Sequence, residues 1–430
     1  MIEILLPIGR FAWEFALTWW WLFLPFLLFG LFVFTWLWWR TDRWLTDRRW
    51  IVLEIRMPQE VDNPFRRMEA VIAGFWQVKI GKNKREKWIE GKIQLGVALE
   101  IASIEGKVHF FVRFEQDERK LIESSIYAQF PEAEITEVDD YTKLVPADIP
   151  NKDWEMWASS YEMPREDVYP IKTYRSFFEE QATTREEEPI RVDPLGQLLE
   201  GMAKLGPGEH MWIQILASPV DRGTGYEERG KAIVDKIVHR PERGKPTSTV
   251  KDVETVFSVL ATGKTAEQKT EQESFLPPEM RITPGERVIV MGIEEKIAKL
   301  MFSCHIRSVY VAKRDVYWGG MKAIPMSYFT QFTTENMNGL KVDGDTWTKV
   351  HTISTWFLDK RRLYLRKRRH FRYYKGRFNI HFPRSKGSHI LNIEELASLF
   401  HFPGKLTAPS AALERVEAKK GEAPPVLPTE

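Results

Sequence analysis

Two hydrophobic periods alternate along residues 50–142 and predict a compact α+β unit. Apolar residues at every second position favour strands in WIVLEIRMP (50–58), KIQLGVALEIAS, KVHFFVRF and AEITEVDDY. Between these strands, a 3.6-residue repeat predicts one helix after Asn63-Pro64 and a second helix from Asp117 to Phe130. This order of elements is that of a ferredoxin-like βαββαβ unit. We therefore expect a first ferredoxin-like α+β domain over residues 50–145.

A second α+β unit is expected over residues 165–340. The segments YPIKTYRSFF, MWIQILASPV and CHIRSVYVAKR favour strands. Asp193-Pro194 begins a helix with leucines on one face, and Thr283 and Glu286 form a capping box that begins another helix. Because cap, helix and strand recur in both halves of this unit, we expect an internal structural duplication. We assign this unit to the same ferredoxin-like class.

The run from Ala16 to Trp39 (ALTWWWLFLPFLLFGLFVFTWLWW) contains no charged residue, and we expect it to form a single transmembrane helix. It exceeds the roughly 20 apolar residues that span a bilayer, and tryptophans occupy both of its ends. A cleaved signal peptide is the alternative, but no small-residue cleavage site follows. Arginines are concentrated after the run: Arg40, Arg43, Arg48 and Arg49, with Arg10 alone before it. Residues 1–49 are therefore predicted to be an inner-membrane anchor, single-pass, with the N-terminus outside and the bulk of the chain cytoplasmic.

Composition excludes several classes of site. The 62 basic and 60 acidic residues nearly cancel, so the chain as a whole is neither polybasic nor acidic. Its one cysteine, Cys304, cannot form an internal disulfide or a Cys-x-x-Cys metal site. The nine histidines include no HExxH. We expect no catalytic residue, no metal and no cofactor. The polar stretch 242–279 is predicted to be a flexible insertion, and residues 403–430 an extended, disordered tail.

One segment, GYEERGKA from Gly225 to Ala232, nearly matches a phosphate-binding loop. It ends in Ala232, where such a loop has the Ser or Thr hydroxyl that binds Mg²⁺. A second partial match, ATGKT at 261–265, has Ser258 where the first glycine should stand. Both matches are therefore interpreted as coincidental, and the chain is predicted not to be an enzyme.

The strongest local anomaly is KRRLYLRKRRHFRYYKGR, residues 360–377, in which 10 of 18 residues are Lys or Arg and aromatic residues lie between them. Three partners fit this basic segment: nucleic acid, whose phosphates it would neutralise, the anionic surface of a lipid bilayer, or an acidic protein. The candidate contact residues are Arg361, Arg362, Arg366, Lys367, Arg368, Arg369, Arg372, Lys375 and Arg377.

A short amphipathic helix is predicted near the C-terminus. Asn392 and Glu395 form its capping box. Its apolar edge packs on its own domain or docks in the groove of a partner, and both alternatives stay open. The residues of that edge are Leu396, Leu399, Phe400 and Phe402.

Several segments together carry a resemblance to a known family: EIRMPQEVDNPFRRMEAV, GKVHFFVRF, ESSIYAQFPEAEITEVDDY, YPIKTY, DPLGQLLEGMAKLGPGEHMWIQILASP, RITPGER and LNIEELASLFHFPG. The chain resembles a family of uncharacterised membrane-anchored bacterial proteins. It is similar to the region that precedes the motor domain in ATPases of the type IV secretion and conjugative DNA-transfer class. The resemblance covers about residues 50–205 and 280–425.

This resemblance implies a membrane-tethered, non-enzymatic scaffold of a type IV secretion or conjugation-like translocation apparatus. Such a component would position a separate motor ATPase on the cytoplasmic face, and the basic segment would guide DNA. The alternative is a membrane-bound nucleic-acid-binding protein that acts through residues 360–377 without a motor. The expected partners are the lipid bilayer, the motor ATPase and DNA, and the formation of a homo-oligomer stays open.

Overall fold

A computed structural model describes residues 2–404 except 59, 60, 62, 80, 82, 180–192, 222, 239–281, 351–355 and 381–386. Within these residues, nine antiparallel strands form one continuous sheet in an α+β fold. The strands are β1 (Trp50–Arg56), β2 (Val97–Ile104), β3 (Lys107–Glu115), β4 (Glu134–Val138), β5 (Trp154–Glu162), β6 (Glu209–Pro219), β7 (Met301–Lys313), β8 (Lys341–Val342) and β9 (His389–Asn392).

The helices, in chain order, are α1 (Ile2–Thr46), α2 (Pro64–Phe75), α3 (Arg119–Gln129), α4 (Tyr174–Glu179), α5 (Pro194–Ala203), α6 (Tyr226–Ile237), α7 (Pro284–Ala298), α8 (Ala323–Thr330), α9 (Asp359–Gly376) and α10 (Ile393–Leu399). Both predicted capping boxes are present, at Thr283 with Glu286 and at Asn392 with Glu395. Asn63 precedes α2 with a left-handed backbone and no side-chain cap, so proline alone marks that helix start.

Eight of the nine strands form two halves with the same strand order, and β9 pairs with one end of β7 outside this order. In the first half the order is β4-β1-β3-β2, and in the second it is β8-β5-β7-β6. Each is the order of a ferredoxin-like βαββαβ unit, with β5 and β8 as the first and fourth strands of the second half. The two halves join through β2 and β6, which pair antiparallel from Val97 opposite Ala217 to Ile104 opposite His210. The two predicted units therefore share a single sheet, and we call the β2–β6 junction the seam.

The two faces of the sheet are covered differently. On one face, α2, α3, α5, α8 and α10 bury their apolar residues in the largest core, together with alternate strand residues such as Leu53, Val112, Ile213 and Ile306. On the other face, Phe371 and Tyr374 of α9 pack against the strand residues that point to that side, among them Phe111, Trp212 and Val309. Because successive side chains of a strand point to opposite faces, the same strands contribute residues to both cores.

The predicted transmembrane helix at 16–39 is wrong. Among the residues that the structure describes, none of the helices combines the length and the apolar character that crossing a membrane requires. The prediction relied on the absence of charge, but the run contains six tryptophans, whose indole N–H is polar, together with Pro25 and Gly30. The run lies instead within the single helix α1. The membrane orientation predicted from the flanking arginines depended on this span.

Two further differences concern the second half. YPIKTYRSFF was expected to be a strand, but residues 170–173 form a loop and Tyr174–Glu179 is helical. The first strand of this half is Trp154–Glu162, which lies before the expected start at residue 165. The predicted insertion at 242–279 and the tail beyond residue 404 lie outside the described residues.

Candidate nucleic-acid interface

The basic segment forms the 18-residue helix α9, and aromatic side chains hold it against the sheet. Phe371 and Tyr374 are buried and stack near Trp212 of β6, with ring centroids 6.4 Å and 5.6 Å from the indole. The Tyr374 hydroxyl lies 2.8 Å from that of Tyr141. Burial of two aromatic rings fixes the orientation of the helix, because such side chains dominate core energetics.

A buried polar network attaches the C-terminal end of α9 to the seam. Arg377 donates to both carboxylate oxygens of Glu100, at 2.9 Å and 3.1 Å, and also binds Asp140. Gln214 donates to Glu100 at 2.6 Å and accepts from Nε of Arg307 at 2.7 Å. Arg307 also donates to the main-chain carbonyls of Phe378 (2.8 Å) and Tyr373 (3.0 Å). The network thus links both halves of the sheet to one helix end.

Electrostatics inside the network follow from burial and pairing. Burial by itself would raise the pKa of Asp140, but the Arg377 guanidinium outweighs it and holds that pKa below its usual value. Burial lowers the pKa of Arg307 to about 9, and the neighbouring Arg377 cation acts in the same direction. Asp140 is therefore an ion-pair partner of a buried arginine.

Four of the predicted contact residues make structural contacts instead of facing solvent freely. Lys367 pairs with Glu155 at 2.8 Å, and Arg366 donates to the Trp347 carbonyl at 2.7 Å. Lys375 is half-buried with its ammonium 5.5 Å from the Phe371 ring, and Arg377 lies in the network. Arg366, Lys367 and Arg377 therefore hold α9 against other parts of the chain, whereas the contact of Lys375 lies within α9 itself.

The other predicted residues, Arg361, Arg362, Arg368, Arg369 and Arg372, are exposed. Arg369 also donates to the Ile380 carbonyl at 2.8 Å, on the side of the helix near the chain that follows it. Arg361, Arg368 and Arg372 are spaced by seven and four residues and so share one helical face. Tyr364 lies on the same face, is 41% exposed, and accepts a hydrogen bond from Arg368 at 2.8 Å. We call Arg361, Tyr364, Arg368 and Arg372 the basic stripe.

The residues predicted for partner docking are buried in the chain's own core. Leu396, Leu399, Phe400 and Phe402 are each at most 1% exposed. Phe110 of β3 lies 6.1 Å from Phe400 and 5.8 Å from Phe402, between ring centroids. Of the two alternatives for this helix, packing on its own domain is the one present. In this conformation the four side chains offer no surface to a partner.

The near match to a phosphate-binding loop is helical. Gly225 caps the N-terminus of α6 with a φ of 75°, and the rest of the segment runs through its first two turns. Lys231 pairs with Glu227 at 2.6 Å, and Gly230 faces Ile297 of α7. A phosphate cradle needs a loop of free main-chain N–H groups, and this segment forms none. In the described part of the chain, no group of three His, Cys, Asp or Glu side chains is arranged to hold a metal ion.

Our sequence analysis missed the polar members of the network on the strands. Glu100, Gln214 and Arg307 each interrupt an otherwise apolar strand, in VALEIAS, MWIQILAS and CHIRSVYV. Each is fully buried. A polar or charged residue at a core position needs a hydrogen-bond partner, so these three interruptions are the signal that could have indicated a buried network.

Comparison with known proteins does not assign this chain to a family. The chain matches no protein-family model, and no curated protein is significantly similar to it. The resemblance to the region before secretion motors therefore stays a prediction from the sequence segments.

Proposed function

We propose that this protein is a non-enzymatic nucleic-acid-binding protein and that the basic stripe of α9 is its contact surface. The observation that carries the proposal is the division of the basic segment into two sets. One set, Arg366, Lys367, Lys375 and Arg377, binds the chain itself. The other set, Arg361, Arg368 and Arg372, projects into solvent from a helix whose opposite face is buried.

The dimensions of the stripe support a polyanion as its ligand. Arg372 lies eleven positions after Arg361, which is about 16 Å along an α-helix. Duplex DNA carries one negative charge per roughly 1.7 Å of its axis, so a row of this length meets several phosphates. Arginine forks bind phosphate oxygens in pairs, and the exposed Tyr364 ring can stack on an unpaired base. A rigid helix presents these groups on a backbone that is already ordered, so only the side chains lose freedom on binding.

The resemblance described above supports a narrower proposal. It favours DNA as the nucleic acid and a separate motor ATPase of the type IV secretion class as a partner. Because Leu396, Leu399, Phe400 and Phe402 are buried, a motor would have to bind another surface. The helical conformation of Gly225–Ala232 is consistent with a protein that does not itself hydrolyse nucleotide.

The salt dependence of DNA binding tests this proposal. The full chain would be titrated into labelled single-stranded and duplex oligonucleotides at several salt concentrations, with binding followed by fluorescence anisotropy. We expect the triple variant Arg361→Gln, Arg368→Gln, Arg372→Gln to bind at least tenfold more weakly. The slope of log K against log salt should fall by roughly two to three units if all three arginines contact phosphates.

The matched control removes three exposed cations from other surfaces: Arg66→Gln, Lys120→Gln, Lys236→Gln. It changes net charge equally, so it should retain most of the wild-type affinity. Equal losses in both triple variants would show that only net charge matters, and the proposal would be wrong. Binding to phosphatidylserine vesicles without binding to either oligonucleotide would contradict it as well, and would favour the lipid surface instead.

A further inference from the structure

A second candidate site lies where the seam meets the end of α9. A cavity of about 410 Å³ opens there. Its floor is formed by Val97 and Ala98 at the start of β2 and by Leu216–Ser218 at the end of β6. Its wall is completed by residues 376–379, at the end of α9 and just after it, and by Asp42, Leu45 and Thr46 near the end of α1. The volume falls within the range of small-molecule sites, about 300 to 1,000 Å³.

Arg113 of β3 is a half-buried cation that lines this cavity. Its guanidinium stacks 4.4 Å from the Trp50 ring, which lies diagonally across the β1–β3 pair. Among the described residues, no carboxylate lies within ion-pair distance of it. Burial, followed by the neighbouring Arg377 cation, lowers the pKa of Arg113 to about 10. The side chain is therefore a partly desolvated cation that packs on an aromatic ring.

The carboxylates nearest to Arg113 are paired with another arginine. Glu100 and Asp140 are both bound by Arg377. Arg307, the other buried cation of the cluster, donates to the Gln214 side chain and to main-chain carbonyls. In the described part of the chain, this cluster thus contains three guanidinium groups and two carboxylates. Arg113 is half-buried, and no described carboxylate is in contact with it, so its guanidinium can accept an anionic ligand.

Neutral hydrogen-bonding groups line the same cavity. Ser218 and Ser303 sit opposite each other on β6 and β7, and Gln94 and Asn379 lie on the surrounding wall. Asp42 also lines the cavity, as an exposed residue on α1. Gly96 allows β6 to approach closely, because a Cβ at that position would lie 2.3 Å from the Ala217 carbonyl oxygen.

We infer that this cavity binds a small organic oxyanion, with Arg113 as the residue that recognises its phosphate or carboxylate group. A guanidinium fork matches the paired oxygens of either group, and the Ser218 and Ser303 hydroxyls supply further donors. The site is separate from the basic stripe, which lies on the solvent face of α9. It would give the protein a response to a metabolite in addition to nucleic-acid binding.

Isothermal titration calorimetry on the full chain at constant ionic strength tests this inference. The probes are inorganic phosphate, adenosine monophosphate and succinate. We expect saturable one-site binding of at least one probe. Binding of the nucleotide would identify an organic phosphate, whereas binding of succinate alone would identify a carboxylate ligand. Absence of saturable binding by all three probes would overturn the inference.

Arg113→Gln should weaken binding at least tenfold, whereas Arg66→Gln, which removes an exposed arginine from α2, should leave it unchanged. The triple variant of the basic stripe should bind the probe as the wild type does, and Arg113→Gln should bind DNA as the wild type does. Failure of DNA binding and failure of oxyanion binding are therefore distinguishable. Unchanged oxyanion binding by Arg113→Gln would overturn the inference.

A purely structural role for Arg113 predicts a different result. If the side chain only packs on Trp50, its removal lowers the urea midpoint and affects no ligand. If it is an unbalanced cation kept for a ligand, Arg113→Gln leaves the midpoint unchanged or raises it. Arg113→Lys serves as a second variant, because it keeps the charge but loses the fork, and it should bind the probe several-fold more weakly.

Discussion

Glu100 of β2 and Gln214 of β6 lie directly opposite each other across the seam, and the Gln214 amide donates to the Glu100 carboxylate at 2.6 Å. Both side chains are fully buried. They stand where the two ferredoxin-like halves meet, and through Arg377 they connect that junction to the basic helix. A buried polar pair of this kind specifies the register of two strands, since any shift would leave its groups unsatisfied.

Removal of the Glu100 charge should destabilise the protein strongly. In Glu100→Gln, the buried Arg377 keeps only Asp140 as a charged partner, so we expect the free energy of unfolding to fall by about 3 kcal/mol. Urea denaturation measures the change. Glu137→Gln is the control, because it breaks the exposed pair with Arg119 and should cost less than about 1 kcal/mol. Equal costs at the two sites would contradict the role of the network.

Acid should loosen α9 through His370. This side chain is fully buried, and neither ring nitrogen has a hydrogen-bond partner. Burial, with the nearby Arg307 and His305, lowers its pKa well below the ordinary value of 6.5. The folded state therefore holds His370 neutral, whereas the unfolded chain takes up a proton below pH 6.5. Its contribution to stability is complete above that pH and falls as the pH drops below it.

His370→Leu should remove this part of the acid sensitivity. Between pH 7.5 and pH 5.5, the wild type should lose about 1.4 kcal/mol more of its unfolding free energy than the variant loses. Urea denaturation of both proteins at the two pH values measures the four unfolding free energies that the comparison needs. The comparison cancels the other buried histidines, which both proteins retain. Parallel losses in wild type and variant would show that His370 does not titrate in this range.

The anchoring of α9 should depend on Phe371. This ring is 1% exposed, so Phe371→Ala should cost about 3 to 5 kcal/mol and speed hydrogen exchange of the α9 amides. Phe357, which is 66% exposed just before the helix, provides the control. Phe357→Ala should change stability by less than about 0.5 kcal/mol. If the two substitutions were equivalent, α9 would not be held as described.

The C-terminal helix should behave as core. Leu399 is fully buried, and Leu399→Ala should lower the free energy of unfolding by about 2 to 5 kcal/mol. Leu144→Ala truncates a leucine that is 58% exposed and should have little effect. Thermal denaturation of both variants would measure the difference. If Leu399→Ala were as stable as the wild type, Leu399 would not be part of the core, and this helix could dock on a partner instead.

Local patterns predicted much of the fold because they report local physics. The alternation in KVHFFVRF and the capping boxes at Thr283 and Asn392 depend on residues within a few positions of each other. The seam could not be predicted in this way, because pairing of β2 with β6 joins edges that are distant in sequence. The error at α1 had a different cause. The run 16–39 lacks charge, but its tryptophans make it less apolar than a membrane-spanning helix has to be.

The candidate site was predicted only in part, for a related reason. The composition of residues 360–377 indicated a polyanion surface, but it gave every basic residue the same role. Lys367 pairs with a residue 212 positions away, and Arg377 with one 277 positions away. Which cations stay free for a ligand is therefore decided by tertiary contacts. Arg113 was missed for the same reason: nothing in its local sequence distinguishes it from other strand arginines, and only tertiary contacts place it in the cavity.

The connection between β6 and β7 has a consequence for the order in which the chain folds. In the first half, only Glu105 and Gly106 separate β2 from β3, whereas residues 220–300 separate β6 from β7. Closing the longer loop costs about 3 kcal/mol more in chain entropy. Contacts between distant residues also form more slowly than local ones. During synthesis, the N-terminal half can therefore fold before β7 leaves the ribosome. The edge of β2 would then stay exposed until β6 pairs with it.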